Sequence, residues 1–191
     1  MKLFVQITII YFTLNSLFSC AQLDKVQDSE EVYNFDLTSV VDSAVKDLSR
    51  RAPSVEKKIT YDGKENSLAS SEINWEEELE VFEDADINKP ILRNSYEKTT
   101  QNKSNGGTLT RFEASGPREL VRWVEVEKDS NGDILKIAFK MLTDNSLYAT
   151  EKEGELVFSE GQKLKSYAVE GTQSIVFLGD KHYAVKGNLV Y

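Results

Sequence analysis

Apolar positions recur at helical spacing in the first half of this chain and at alternate positions in the second. Leu37, Val40, Val41, Ala44, Val45 and Leu48 fall on one stripe, because side chains three and four apart share a helix face. Asp36 or Asn34 stands where a cap belongs, Arg50 and Arg51 suit the negative end of the helix dipole, and Pro53 follows. The stripe predicts an amphipathic helix of about four turns. Its polar face carries Asp42, Lys46 and Asp47, a mixed set that suits packing on a sheet better than lying on lipid. Val55 to Tyr61 then alternates weakly and meets Asp62-Gly63, a hairpin signal, with Glu65 to Ser70 as the returning strand. A second, shorter helix is capped by Ser71 or Asn74. Glu77 stands three residues after Asn74 as in a capping box, and Trp75, Leu79 and Phe82 form the buried face.

After Pro90 the pattern is that of strands. The predicted segments are 91–101, 108–115, 119–128, 133–143, 146–151, 155–159, 163–171, 174–179 and 182–190. Turn signals separate them at Asn105-Gly106-Gly107, Gly116-Pro117, Asn131-Gly132, Gly154, Gly161 and Gly179-Asp180. Leu135, Ile137, Phe139 and Met141 point to one side with Lys136 and Lys140 opposite, and Tyr183, Val185, Leu189 and Tyr191 form a similar set. Short turns between alternating strands imply an antiparallel meander with one packed and one wet face. The fold class predicted is α+β, a curved, half-barrel-like antiparallel sheet with two helices packed on one side. A closed barrel of lipocalin type is the alternative, since closure removes sheet edges.

Charge narrows the function classes. The 191 residues carry 23 Lys+Arg against 32 Asp+Glu, a formal net charge of -9. That balance speaks against a nucleic-acid partner, which needs clustered Lys and Arg, and against docking on anionic lipid through a basic patch. One cysteine allows no disulfide within the chain.

That cysteine ends an apolar N-terminal run. Lys2 is followed by Leu3-Phe4-Val5 and Ile7 to Phe12, interrupted by Gln6, Thr13 and Asn15. The run is too short for a spanning helix, which needs about 20 mostly apolar residues, and reads as a signal peptide over 1–19. Leu17-Phe18-Ser19-Cys20 resembles the bacterial lipobox, in which the cysteine is lipid-modified and becomes the mature N-terminus. The resemblance implies cleavage between Ser19 and Cys20 and fatty-acid anchoring, palmitate included, through Cys20. A small-x-small site, Ser19-Cys20-Ala21, is the rival and would release a chain from Gln22. Residues 20–34 form an acidic tether, in which Asp28-Ser29-Glu30-Glu31 resembles the surface-export signal of Bacteroidota lipoproteins, and 35–191 is a single domain. Asp42-Ser43-Ala44 resembles an O-glycosylation signal of that group. Together with Asp86-Ile87-Asn88-Lys89-Pro90 and Gly179-Asp180-Lys181-His182-Tyr183-Ala184-Val185-Lys186-Gly187, the chain resembles uncharacterised Bacteroidota lipoproteins. The resemblance implies a cell-envelope, outer-membrane location and no particular activity. The rival cleavage implies a secreted or periplasmic soluble protein.

Motifs of catalysis are sparse. His182 is the sole histidine, no Gly-x-Ser-x-Gly elbow or phosphate loop occurs, and no cofactor is expected. Asp84-Ala85-Asp86-Ile87-Asn88 begins like a calcium loop but has Lys89 at the glycine position and Ser95 at the bidentate glutamate position, so no metal is expected. The reading is a non-catalytic module that binds an envelope protein. Its alternative is a carrier of lipid or another apolar ligand, with Trp123, Phe139, Phe158, Tyr167, Phe177 and Tyr183 lining a cavity under the sheet. A hydrolase using paired carboxylates is the third reading.

Overall fold

Among the described residues, two helices and nine strands follow the alternating periods of the sequence. The computed structural model describes residues 32–177 and 179–191; the signal peptide, Cys20 and the tether as far as Glu31 lie outside the described residues. Val32–Tyr191 forms one compact unit. Helix α1 (Leu37–Arg51) begins where Asp36 accepts a hydrogen bond from the Ser39 backbone N–H, and it ends at Ala52 in the left-handed conformation, φ 47°. Strands β1 (Ser54–Tyr61) and β2 (Lys64–Ser70) form the expected hairpin. Asp62 and Gly63 both take positive φ, 49° and 79°, as a type I′ turn requires. Helix α2 (Trp75–Glu83) buries Trp75, Leu79 and Phe82. Asn74 is its N-cap, but no side-chain hydrogen bond is made there, so the expected capping box is absent.

A single 3-10 turn at Pro90–Leu92 leads to β3 (Tyr96–Asn102), β4 (Thr108–Ala114), β5 (Val121–Lys128), β6 (Ile134–Asp144), β7 (Tyr148–Ser159), β8 (Lys163–Ile175) and β9 (Gly179–Val190). The first of these strands starts later than position 91 because proline opens the 3-10 turn there. All nine belong to one antiparallel sheet of order β2-β1-β9-β8-β7-β6-β5-β4-β3. The terminal strands β2 and β3 do not pair, so the sheet is open, which overturns the closed lipocalin-type barrel. Its edges are polar, Lys64-Glu65-Asn66 on β2 and Glu97-Lys98-Thr99 on β3, which discourages further strands from adding.

Gly154 is not a turn. It lies in the middle of β7, directly across from Phe139, and a Cβ there would meet Phe139 Cζ at 2.3 Å. The same arrangement recurs where Gly187 faces Tyr167 and Gly171 faces Tyr183, with added Cβ atoms 2.2 Å from Tyr167 Cζ and 2.6 Å from Tyr183 Oη. Each glycine leaves room for an aromatic ring to lie across the neighbouring strand. Segments expected as separate strands (146–151 with 155–159, and 163–171 with the first two residues of 174–179) are therefore continuous, and the last turn sits at Val176 and Phe177, with Gly179 and Asp180 opening β9 rather than forming the turn.

One face of the sheet shares its core with both helices. Leu37, Val41, Val45 and Leu48 of α1 and Leu79 and Phe82 of α2 cluster with Val124, Val126, Ile137, Phe139, Leu156 and Tyr167. Phe82 meets Phe139 edge to face, with ring centroids 5.7 Å apart. The expected set on β6 is displaced at its start. The β5–β6 register slips between Glu127 and Lys128, which pairs with Ile134, so Ile134 rather than Leu135 packs against the core.

The sheet has two ends of different character. At the upper end lie the β1–β2, β6–β7 and β8–β9 hairpins and the β4–β5 connection. At the lower end lie the β3–β4, β5–β6 and β7–β8 turns, which carry Gly106, Gly132 and Gly161 at positive φ.

Candidate functional site

The six aromatics do not gather in one place. Phe139, Phe158 and Tyr167 are buried in the core, and Tyr183 packs against it half-buried. Trp123 belongs to the opposite face, where Arg111 lies over its ring with Cζ 4.7 Å from the centroid. Phe177 is fully exposed in the β8–β9 turn. Alternation explains the division, since Val124 rather than Trp123 is the buried member of that part of β5. The Tyr167 hydroxyl donates to Glu78 Oε1 at 2.5 Å, and Lys57 Nζ donates to the other carboxylate oxygen at 2.5 Å. Burial and then this carboxylate raise the Tyr167 phenol well above its ordinary range.

In the stretch resembling a calcium loop, Asp86 and Asn88 have side-chain oxygens engaged by backbone N–H groups. Asp86 is buried and accepts from the N–H of Leu37 at 2.9 Å, adding a second carboxylate to the positive end of α1. Asn88 Oδ1 accepts from the N–H groups of Tyr33 (2.7 Å) and Asn34 (3.1 Å). Asn34 Nδ2 donates to the carbonyls of Ile87 and Leu92, both at 3.0 Å. Arg93 lies over the Tyr33 ring, Cζ 4.5 Å from its centroid. Tyr33 and Asn34 are thus bonded into the folded unit beside the upper end. Among the described residues no group of three or more His, Cys, Asp and Glu is arranged to hold a metal ion.

The face turned away from the helices carries a charged row. Arg111, Glu125, Ala138, Glu155, Ala168, Lys186 and Lys58 are successive partners across seven strands. Arg111 pairs with Glu125 at 2.7 Å and Glu113 at 2.5 Å, Lys136 with Glu155, and Lys140 with Glu151 at 2.7 Å and Glu153 at 3.1 Å. The alanines interrupt this layer of long side chains. A hollow of about 310 Å³ opens there, lined by Trp123, Ala138, Glu153, Glu155, Ala168 and Lys186 among others. Lys186 has no carboxylate partner among the described residues. Sequence reasoning missed this hollow. Its signal was alanine at positions 138 and 168, each on the polar face of its strand.

A second cleft, about 440 Å³, lies along the two helices and is lined by Asp42, Lys46, Glu76, Glu77, Glu80 and Glu83, with Val45. Partial burial, then Asp42, Glu80, Asp84 and Glu76, raise the Glu83 carboxyl above its ordinary value. His182 stands on β9, its Nδ1 2.9 Å from the Thr172 hydroxyl. No helix among the described residues is long and apolar enough to cross a membrane. No protein-family model, curated protein or solved structure matches this chain.

Proposed function

We propose that this chain is a non-catalytic cell-envelope lipoprotein, held to the outer membrane by lipid on Cys20, whose folded unit binds another envelope component. The observation that carries the binding role is the hollow on the charged face. Trp123 offers an aromatic rim, Ala138 and Ala168 a low floor, and Glu125, Glu153, Glu155 and Glu170 together with Lys136 and Lys186 a ring of charged groups. Such a mixture of one aromatic surface and a few convergent polar groups suits recognition. The open sheet with its two helices supports a half-barrel-like form, the helices lying on its concave side and the charged face turned outward. Radioactive palmitate labelling of wild type against Cys20→Ala tests the anchor, and equal incorporation sinks it. Cross-linking in envelope preparations tests the hollow: the adduct of the wild-type chain should disappear in Trp123→Ala. Turnover of a substrate by the purified chain, abolished by one side-chain change, would refute the non-catalytic reading.

A second reading, a carrier of lipid or another apolar ligand, is supported by an open sheet whose helix-covered face is rich in aromatic rings. It expects a co-purified ligand in native mass spectrometry. The seating of Phe139, Tyr167 and Tyr183 over glycines favours a filled interior, and so the first reading is preferred.

A further inference from the structure

Large hydrophobic side chains stand exposed at twelve positions among the described residues, and nine of these belong to the upper end of the sheet or to Val32 beside it. The other three are Leu68, Val190 and Tyr191. The lower end closes instead with polar turns such as Asp129-Ser130-Asn131-Gly132-Asp133. At the upper end the β6–β7 and β8–β9 tips lie side by side, the Val176 N–H donating to the Leu147 carbonyl at 3.1 Å. They present Leu147 (70% exposed), Tyr148, Val176 and the fully exposed Phe177. Ile91 (88% exposed) and Leu120 extend this apolar surface toward β5.

Phe177 fits neither the turn nor the core. Its φ is 71°, in the left-handed region where a bulky side chain is disfavoured and Gly or Asn is usual. Its ring is fully exposed, so neither local conformation nor burial accounts for an aromatic residue there. Strain at an exposed site points to a function met outside the chain.

The same end is where the chain leaves for its anchor. Asn34 is bonded to Leu92, and Leu92, Tyr96, Leu120 and Val121 line one hollow at the upper end. Val32 is the twelfth residue after Cys20, a reach of about 40 Å at full extension. A lipid anchor on Cys20 holds the point where the chain enters the upper end within that reach of the bilayer. The tips carry Asp144 and Asp180, Lys181 is paired with Asp62 at 2.5 Å, and Lys89 and Arg118 line the neighbouring hollow beside Asp84, Asp86 and Glu119, so these groups together hold no excess of positive charge to attract anionic headgroups.

We infer that the upper end docks on the lipid bilayer, with Leu147 and Phe177 entering the boundary between headgroups and acyl chains. This inference rests on the lipoprotein reading for its tether. The test uses the full chain, purified with its lipid and reconstituted in phosphatidylethanolamine–phosphatidylglycerol vesicles. A polarity-sensitive fluorophore is placed on one added cysteine, at Ser146→Cys beside the tip or at Asn131→Cys at the lower end. Blue-shifted emission, quenched by spin-labelled lipid, is expected at position 146 and water-like emission at 131. Water-like emission at both positions overturns docking. Unmodified wild type controls for the anchor: an acylated Cys20 takes no label. If Cys20 is labelled, the anchor reading fails and the same comparison is made on vesicles in the Cys20→Ala chain, so the two ideas fail separately. Phe177→Asn supplies the second arm. Vesicle partitioning in the Cys20→Ala background should fall about tenfold while the thermal midpoint holds or rises, because Asn tolerates positive φ. Unchanged partitioning overturns the inference.

Discussion

The two faces of the sheet are built from the same strands and differ by one residue of register, yet they do opposite work. Along one row, Phe112, Val124, Phe139, Gly154, Val169, Val185 and Ile59 are successive partners. Along the next, the partners are Arg111, Glu125, Ala138, Glu155, Ala168, Lys186 and Lys58. The first row meets the helices, and there the volume of a single methyl group matters because rings lie over glycine. The second row meets water, where long side chains can shift and ion pairs are screened. Packing specificity thus resides on the helix-covered face, and the charged face is free to vary around its hollow.

The largest expected effect breaks the buried row. Gly154→Ala sets a methyl group against the Phe139 ring, and urea denaturation should show a loss of about 2–3 kcal/mol. Phe139→Leu should remove most of that additional loss when the two changes are combined, since they share one contact. A loss under half a kilocalorie per mole, on the order of a surface change, would show that the ring is not held there.

Next comes the polar contact where α2 meets the sheet. Glu78→Ala strands the Tyr167 hydroxyl and Lys57, whose side chain is 17% exposed. The expected cost is about 2 kcal/mol, with Glu78→Gln recovering part because its amide oxygen still accepts a hydrogen bond. Equal losses for both variants would argue that packing, not hydrogen bonding, dominates.

On the charged face the same chemistry should count for less. Lys140→Ala removes two ion pairs with exposed glutamates and should cost about 0.5 kcal/mol, less in high salt. A cost as large as that of Glu78→Ala would erase the contrast between the faces.

The smallest effect has the opposite sign. The folded state raises the Glu83 carboxyl above its ordinary value, through desolvation first and then the nearby carboxylates Asp42, Glu80, Asp84 and Glu76. Its charged form is therefore disfavoured by folding. The penalty is present at neutral pH and is relieved as pH falls through the raised folded value. Glu83→Gln should stabilise the chain by about 0.3 kcal/mol at pH 7, and that advantage should vanish under acid conditions in a pH series of thermal melts.

Much of this architecture was legible from local pattern. The α1 stripe, the Asp62-Gly63 hairpin and the alternation of Ile137, Phe139 and Met141 each declare a period, and period follows directly from backbone geometry. Glycine misled where its role was tertiary. Gly154 looks like punctuation in a sequence, but its function, like that of Gly171, is to make room for a ring brought alongside by a neighbouring strand. Trp123 misled for a related reason: strand parity placed it among charges, and composition had grouped it with the core aromatics. The hollow around Ala138 and Ala168 could be found only when strands 30 residues apart in numbering were set side by side.

The chain by itself determined its helices, most of its strands, its acidic balance and the lone Cys20 at the end of an apolar run, because these are properties of nearest neighbours along the backbone. Only the tertiary structure decided that the sheet stays open, that aromatic rings lie over glycines, and that Asp86 and Asn88 hold the residues leading into α1. It also gathered Leu147 and Phe177 at one end. Those outcomes depend on which distant strands pair and in what register, and pairing is settled by burial of the whole core rather than by any local segment.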